Sequence, residues 1–159
     1  MNWSDILLWG FVATVVLTGL MSVSQGVGLT RMNLPFMLGT MFTPDRDRAK
    51  LLGFGVHVVN GWVLAVVYAA AFQSWRVAAW WLGLGIGLVH GGFVLLAVMA
   101  MLPGLHPRMA SEQRGPEPTR QLEPPGFLAL NYGRRTPLSV MAAHAVYGLI
   151  LGAFYHLQR

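Results

Sequence analysis

The chain has 159 residues, of which 55% are hydrophobic and only 11% are charged. Soluble domains carry about 25% charged residues, so this composition excludes an ordinary soluble domain. The formal net charge of +5 would suit a nucleic-acid-binding protein. Basic residues beside apolar blocks are typical of membrane proteins, where they meet anionic lipid headgroups, and we expect no nucleic-acid partner. Cysteine is absent, which excludes disulfides and thiolate metal ligands.

Four long blocks of the sequence contain almost no charged residues: 6–24, 51–72, 77–102 and 138–156. Each block is close to or above the ~20 residues that a helix needs to cross the hydrocarbon core of a bilayer. Backbone polar groups have no water partner at that depth, so helix is the expected conformation. The sequence therefore predicts an all-α integral membrane protein that forms a single four-helix bundle.

The first span follows Ser4 and Asp5, which can cap a helix. Because no basic residue precedes it, we interpret it as a helix of the mature protein rather than as a signal peptide. The segment 33–42, "NLPFMLGTMF", is too short to span and is predicted to be a short interfacial helix. Thr43 and Pro44 then signal the start of the second span.

The second and third spans are joined by "QSWR" (73–76), a tight turn that predicts antiparallel neighbours. The connection 103–135 contains six prolines, and both an ordered cap and a mobile linker fit its composition. It ends in "GFLALNY" (126–132), a second predicted interfacial segment. Thr136 and Pro137 then signal the start of the fourth span.

The distribution of basic residues predicts the orientation of the chain. Nine of the eleven Lys and Arg residues lie in the loops 25–50 and 103–137. The positive-inside rule places both loops in the cytoplasm and both termini outside. Tryptophans cluster towards the opposite side, as in an aromatic belt: Trp3, Trp9, Trp75, Trp80 and Trp81.

An internal repeat is visible when residues 57–68, "HVVNGWVLAVVY", are aligned with 144–155, "HAVYGLILGAFY". Five of twelve positions are identical, and they include a histidine, a glycine and a tyrosine. At a different offset, Gly10 aligns with Gly87. The unit of span, interfacial segment and span would then occur twice in the same orientation. This pattern predicts two parallel hairpin repeats related by an axis along the membrane normal.

Each span carries a face of small and polar residues at helical spacing, and such faces are expected to turn inward. The candidate intramembrane polar or ligand-binding residues are His57, Asn60, Tyr68, His90, His144, Tyr147 and Tyr155. The candidate helix-packing residues are Gly53, Gly61, Gly83, Gly87, Gly91, Gly148 and Gly152. We predict no catalytic residue.

Four interpretations of the histidines remain open. They are structural groups that bind neighbouring carbonyls and hydroxyls, axial ligands of a b-type haem held by His57 and His144, relay groups of a proton or solute pathway, or a three-histidine metal site. At ~1.5 Å of rise per residue, His57, His144 and His90 lie roughly 9, 12 and 20 Å from the cytoplasmic end. Because this spread is too wide for a single ion, we predict no metal site.

The stretches "GFGVHVVNGWVLAVVYA" and "HAVYGLILGAFYH", with "LPFMLGTMF" before the second span, resemble a loose group of small bacterial inner-membrane proteins with four transmembrane helices. The likeness covers most of the chain. In the fourth helix Val140 stands where the leading glycine of the shared pattern would be. The resemblance implies the four-helix fold and a bacterial inner-membrane location, and it implies no particular activity or cofactor.

We expect a non-catalytic membrane protein, either an accessory or structural subunit of a membrane complex or a subunit that binds lipid or a small ligand. Membrane lipids are its expected partners, together with a second copy packed through "GLGIGLVHGG" (83–92) or a larger complex. The alternatives are a haem-bearing electron-transfer protein and a small channel or transporter.

Overall fold

The computed structural model describes residues 1–111, 118–120 and 122–158. Its helices are α1 (Trp3–Gly26), α2 (Leu34–Gly39), α3 (Arg46–Trp75), α4 (Trp80–Phe93), a π-helical turn (Val94–Val98), α5 (Met99–Leu105), a 3₁₀ segment (Phe127–Tyr132) and α6 (Thr136–Phe154). The segments from α4 to α5 form one continuous span. Four helices, α1, α3, α4–α5 and α6, are long and apolar enough to cross a membrane. The prediction of a helical chain with four long apolar helices is confirmed.

The caps of three helices differ from the sequence prediction. Thr136 is the first residue of α6, so Arg135 occupies the cap position, without a side-chain capping bond. Asn2 caps α1, because its side chain accepts the N–H of Asp5 at 3.2 Å, so the assignment of the cap to Ser4 and Asp5 is wrong. Asp45, rather than Thr43, caps α3. The cap belongs to the residue whose side-chain oxygen reaches the free N–H groups of the first turn.

Helices α1 and α3 form an antiparallel pair held by small residues. A β carbon added at Gly10 would lie 2.9 Å from the β carbon of Ala65, and one added at Gly61 would overlap the hydroxyl of Thr14. The two helices therefore approach closely only because these positions carry no side chain. At the start of α3, Gly53 packs against the carbonyl of Pro35 and so docks α2 on the same pair.

Helices α4 and α6 form a second antiparallel pair with even closer backbones. A β carbon added at Gly83 would overlap the carbonyl oxygen of Gly148 and lie 2.9 Å from the α carbon of Gly152. One turn along, Gly87 packs on the carbonyl of His144. All seven of the glycines proposed for helix packing are buried.

The two pairs are joined through α1 and α6, and α3 and α4 stand apart. Thr30 and Thr136 share a hydrogen bond of 2.7 Å at one end of the α1–α6 contact, and Trp9 stacks on Phe154 at 4.3 Å near the other. Within the described residues, α3 and α4 meet through side chains rather than backbones. The second and third spans meet where Tyr68 contacts His90, whereas the glycine faces draw each of them into backbone contact with a different partner.

On the long-loop side of the bundle, the buried side chain of His106 links the end of α5 to α2. His106 is 1% exposed, and its Nδ1 accepts the N–H of Arg108 at 3.1 Å. Its Nε2 donates to the carbonyl of Met37 at 2.9 Å and thereby ties α2 to the end of α5. Of the connection 103–135, residues 112–117 and 121 lie outside the described residues, and the cap-or-linker question stays open for them.

The close contact at Gly83 yields a stability prediction. Gly83→Ala should lower the free energy of unfolding by about 1–3 kcal/mol, because the added methyl group forces α4 and α6 apart. Gly85→Ala on the same helix is the matched control, since nothing lies within 4 Å of its added β carbon. Thermal unfolding in detergent should show a lower Tm for the first variant only. Equal Tm values in both variants would contradict this account of the packing.

His106 yields a pH prediction. Burial lowers the pKa of His106 below its ordinary value. The hydrogen bond to the Met37 carbonyl acts in the opposite direction and raises this pKa, and the charge of Arg108 lowers it further, but burial is the largest effect. The unfolded chain takes up a proton near pH 6.5 that the folded chain does not, so the contribution of His106 to stability is lost as the pH falls below about 6.5. His106→Gln should therefore lose less Tm than the wild type between pH 7.5 and pH 5.5.

The control for this experiment is Gly85→Ala, which leaves every histidine in place and has nothing within 4 Å of its added β carbon. It should keep the wild-type decrease in Tm. A His106→Gln variant with an unchanged decrease would show that another group causes the acid sensitivity.

Candidate functional site

The gap between α3 and α4–α5 contains a cavity of about 210 Å³. Helices α1 and α6 close it from behind, and α2 closes it towards the long-loop side. Most of its lining is apolar, and within the described residues no Asp, Glu, Lys or Arg lines it. Its polar lining residues are Thr14, His57, Asn60, His90, His144 and Tyr147.

The mouth of the cavity opens sideways, between α3 and the end of α4. Phe93, which lines the cavity, is 60% exposed, and Asn60 on the facing helix is also exposed. Both residues lie inside segments long and apolar enough to span a membrane, so the mouth faces lipid when the chain is embedded. The Asn60 side chain has no hydrogen-bond partner among the described residues. A polar amide at such a depth is costly unless a ligand or water satisfies it.

His144 is held in one tautomer by its own helix. Its Nδ1 lies 2.8 Å from the carbonyl oxygen of Val140, and a carbonyl can only accept a hydrogen bond. In the neutral ring Nδ1 therefore carries the proton, and Nε2 presents a lone pair. The residue is 7% exposed, and Nε2 has no partner within the described chain.

The cavity is where this lone pair is accessible. Every side-chain nitrogen or oxygen that is fully shielded from solvent, among the described residues, has a hydrogen-bond partner. Nε2 of His144 has none, so it is not fully shielded, and the cavity that this ring lines provides the opening.

His57 is oriented in the same way by a threonine of α1. The Thr18 hydroxyl donates its single proton to the carbonyl of Thr14 at 2.8 Å and lies 3.0 Å from Nδ1 of His57. While the Thr18 proton stays on that carbonyl, Nδ1 of His57 is the donor and its Nε2 is the acceptor; in the other tautomer Thr18 donates to Nδ1. In the first tautomer two histidines from different helices bring unprotonated Nε2 atoms to the lining of one cavity.

His90 and the tyrosines fill the bundle on the terminal side of the cavity. Nδ1 of His90 lies 3.3 Å from the hydroxyl of Tyr68, and the Tyr147 hydroxyl donates to the carbonyl of Gly61 at 2.6 Å. Tyr68 packs edge-on against Tyr147 at 5.5 Å between ring centroids. The column continues through Phe72 to Tyr155, whose ring lies 5.9 Å from that of Phe72. Tyr155 is thus a packing residue of this column and does not line the cavity.

The sequence-based depth of the histidines needs a correction. Helix counting separates His90 from His144 by roughly 8 Å, whereas their ring centroids are 4.6 Å apart. The third span continues to Leu105, and α6 begins only at Thr136. Because Gly91 lies against His144, Leu105 extends past the start of α6, and depths counted from these two helix ends are measured from different levels. Even so, no group of three His, Cys, Asp or Glu side chains among the described residues is placed to hold a metal ion.

Sequence reasoning missed the apolar walls of the cavity. The walls include residues of α2, the π-helical turn and α5: Leu34, Met37, Leu38, Val94, Val98, Met99 and Leu102. A π-helical turn inserts an extra residue into the helix and is often found at functional sites. Nothing in the run "VLLAV" (94–98) distinguishes it from ordinary helix, so no sequence signal could have found it.

Comparison with known proteins gives no match: no family model, no curated protein and no solved structure matches this chain. The resemblance to small bacterial inner-membrane proteins therefore stays a prediction.

The tautomers of His57 and His144 can be measured directly. In ¹⁵N-histidine-labelled protein at pH 8, both rings should show a protonated Nδ1 and an unprotonated Nε2, because Nδ1 donates within the chain. Spectra of His57→Phe and His144→Phe would assign the two sets of signals. A protonated Nε2 on either ring would contradict the assignment for that residue.

Proposed function

We propose that this chain is a non-catalytic, multi-pass protein of the bacterial inner membrane that binds a small lipophilic molecule in the cavity between α3 and α4–α5. The observation that carries the proposal is an apolar cavity with few polar groups, two of whose lining residues, Asn60 and Phe93, are exposed within apolar helices long enough to span a membrane. Sites for small ligands combine apolar walls with a few polar groups that fix orientation. The ligand would reach the site from the bilayer rather than from water.

The volume of the cavity limits the ligand. Sites for drug-sized ligands begin at roughly 300 Å³, and this cavity is about 210 Å³. It therefore suits a small molecule, or the head of a longer amphiphile whose tail remains among the lipids. A chain that presents such a site could serve as a ligand-binding subunit of a larger membrane complex.

The proposed orientation places α2 and the 3₁₀ segment at the cytoplasmic face and the termini outside. Two features support it. The basic residues are concentrated in the loops on the α2 side, and tryptophans are exposed at the other end of the bundle: Trp3, Trp75, Trp80 and Trp81. This combination agrees with the positive-inside rule and with an aromatic belt.

We also propose that the bundle derives from two parallel hairpin repeats. In the first half Gly61 packs on Thr14, and in the second half the aligned Gly148 packs on Gly83. If these two contacts are equivalent, Thr14 of the first half corresponds to Gly83 of the second half. The sequence alignment, which pairs Gly10 with Gly87, uses a different offset between the two halves.

The same glycines limit how a second copy of the chain could bind. Gly83, Gly87 and Gly91 already contact α6, so a second copy would have to use the opposite face of 83–92.

A haem-binding protein is the second candidate. It is favoured by the free Nε2 atoms of His57 and His144, since metal-ligating histidines commonly donate the other ring nitrogen to an oxygen acceptor. A haem is larger than the cavity, however, and α3 and α4 would have to separate to admit it. A channel is less well supported, because the aromatic column fills the bundle on the terminal side of the cavity.

The proposal can be tested with 4-hexylphenol as the probe and with the protein in nanodiscs. The wild type should retain the probe saturably, at about one equivalent per chain, above the background of empty nanodiscs. Val94→Phe should abolish saturable retention, because Val94 lines the cavity and the larger side chain fills it. Val89→Phe is the matched control on the same span; Val89 is 74% exposed, and this variant should bind as the wild type does.

Three outcomes would count against the proposal. Failure of the wild type to retain the probe saturably, or retention by a folded Val94→Phe variant at the wild-type level, would overturn it. A Soret absorption band in the purified wild-type protein would favour the haem candidate instead.

A further inference from the structure

The polar groups of the cavity restrict what its ligand can be. This inference rests on the proposed function and concerns the chemical class of the ligand. From the fixed tautomers we infer that the cavity selects an uncharged aromatic hydroxyl compound, a phenol- or hydroquinone-type head group, whose O–H donates to Nε2 of His57 or His144.

The charge of the ligand follows from the lining. Within the described residues no cation faces the cavity to pair with a carboxylate or phosphate, and no carboxylate faces it to pair with an amine. An isolated charge in such surroundings is strongly disfavoured. Fatty acids, phospholipid headgroups and protonated amines therefore do not fit, and the ligand is neutral.

The requirement for a donor follows from the two histidines. Nδ1 of His144 donates to the carbonyl of Val140, so its Nε2 can only accept. Nε2 of His57 is an acceptor as well when the Thr18 hydroxyl donates to the carbonyl of Thr14. A ligand that brings only acceptors, such as an ether or an ester, leaves these lone pairs unmatched. An O–H group satisfies them, and the Asn60 amide at the mouth can receive or supply a second hydrogen bond.

The preference for an aromatic ring follows from the rings in the wall. The cavity is lined by the rings of His57, His90, Phe93, His144 and Tyr147. His90 and His144 already meet at an interplanar angle of 83°, an edge-to-face arrangement that a ligand ring could extend. The head group would lie beside these rings, and an alkyl tail would leave between Asn60 and Phe93.

A pair of probes of nearly equal shape tests the inference: 4-hexylphenol and 1-fluoro-4-hexylbenzene, which lacks the O–H donor. Retention of each probe by Val94→Phe nanodiscs is subtracted as nonspecific background. The wild type should then bind 4-hexylphenol about tenfold more tightly than 1-fluoro-4-hexylbenzene, a difference of ~1.4 kcal/mol in binding free energy. Equal affinities for the two probes, both blocked by Val94→Phe, would overturn the inference and leave the proposed function standing. No saturable binding of either probe would overturn the proposed function as well.

A protein variant provides the second measurement. His57→Phe/His144→Phe keeps an aromatic ring at each of the two positions and removes both acceptors, so the two probes should bind with affinities within about twofold of each other. His156→Phe, at an exposed position outside the cavity, should keep the tenfold preference. A tenfold preference that persists in the folded double variant would overturn the inference. If the double variant does not fold, the comparison of the two probes on the wild type decides.

Discussion

Backbone contact between helices at glycine positions is the constraint on which the rest of this structure depends. At Gly83 and Gly148 neither helix has room for a methyl group, and at Gly61 the neighbouring atom is the hydroxyl of Thr14. Lipid tails are as apolar as leucine side chains, so close packing of this kind, rather than the burial of apolar surface, drives association of membrane helices. Each of the two middle spans is thereby drawn to a different partner, and the space between them becomes the cavity.

The hydrogen bonds of the cavity wall give the site its chemical character. Each of its three histidines is bound through Nδ1, to Thr18, Val140 or Tyr68. The structural interpretation of the histidines and the ligand-binding one are therefore compatible. The bond that ties a ring to its helix also determines which atom faces the cavity.

Sequence reasoning placed the four spans because length and apolar composition are local properties that do not depend on the partner of a helix. It also placed the small and polar faces, because residues three, four and seven apart share one side of a helix whatever packs against it. It did not place the walls made by α2 and the π-helical turn. Nothing in "VLLAV" (94–98) encodes that it faces a gap. The position of α2 depends on Gly39 meeting the backbone of Ala49 and Gly53 that of Pro35, a fit that neither segment shows alone.

Local patterns in the sequence are enough to predict four apolar helices, the positions of His57, His90 and His144 within them, and glycine on their faces. Which helices pack together depends on the folded structure. It set α4 against α6 instead of α3, brought His90 within 4.6 Å of His144 and left Nε2 of His144 without a partner in the described chain. Helices become neighbours when the shapes of their two surfaces fit each other, and the sequence of one helix gives the shape of only one of those surfaces.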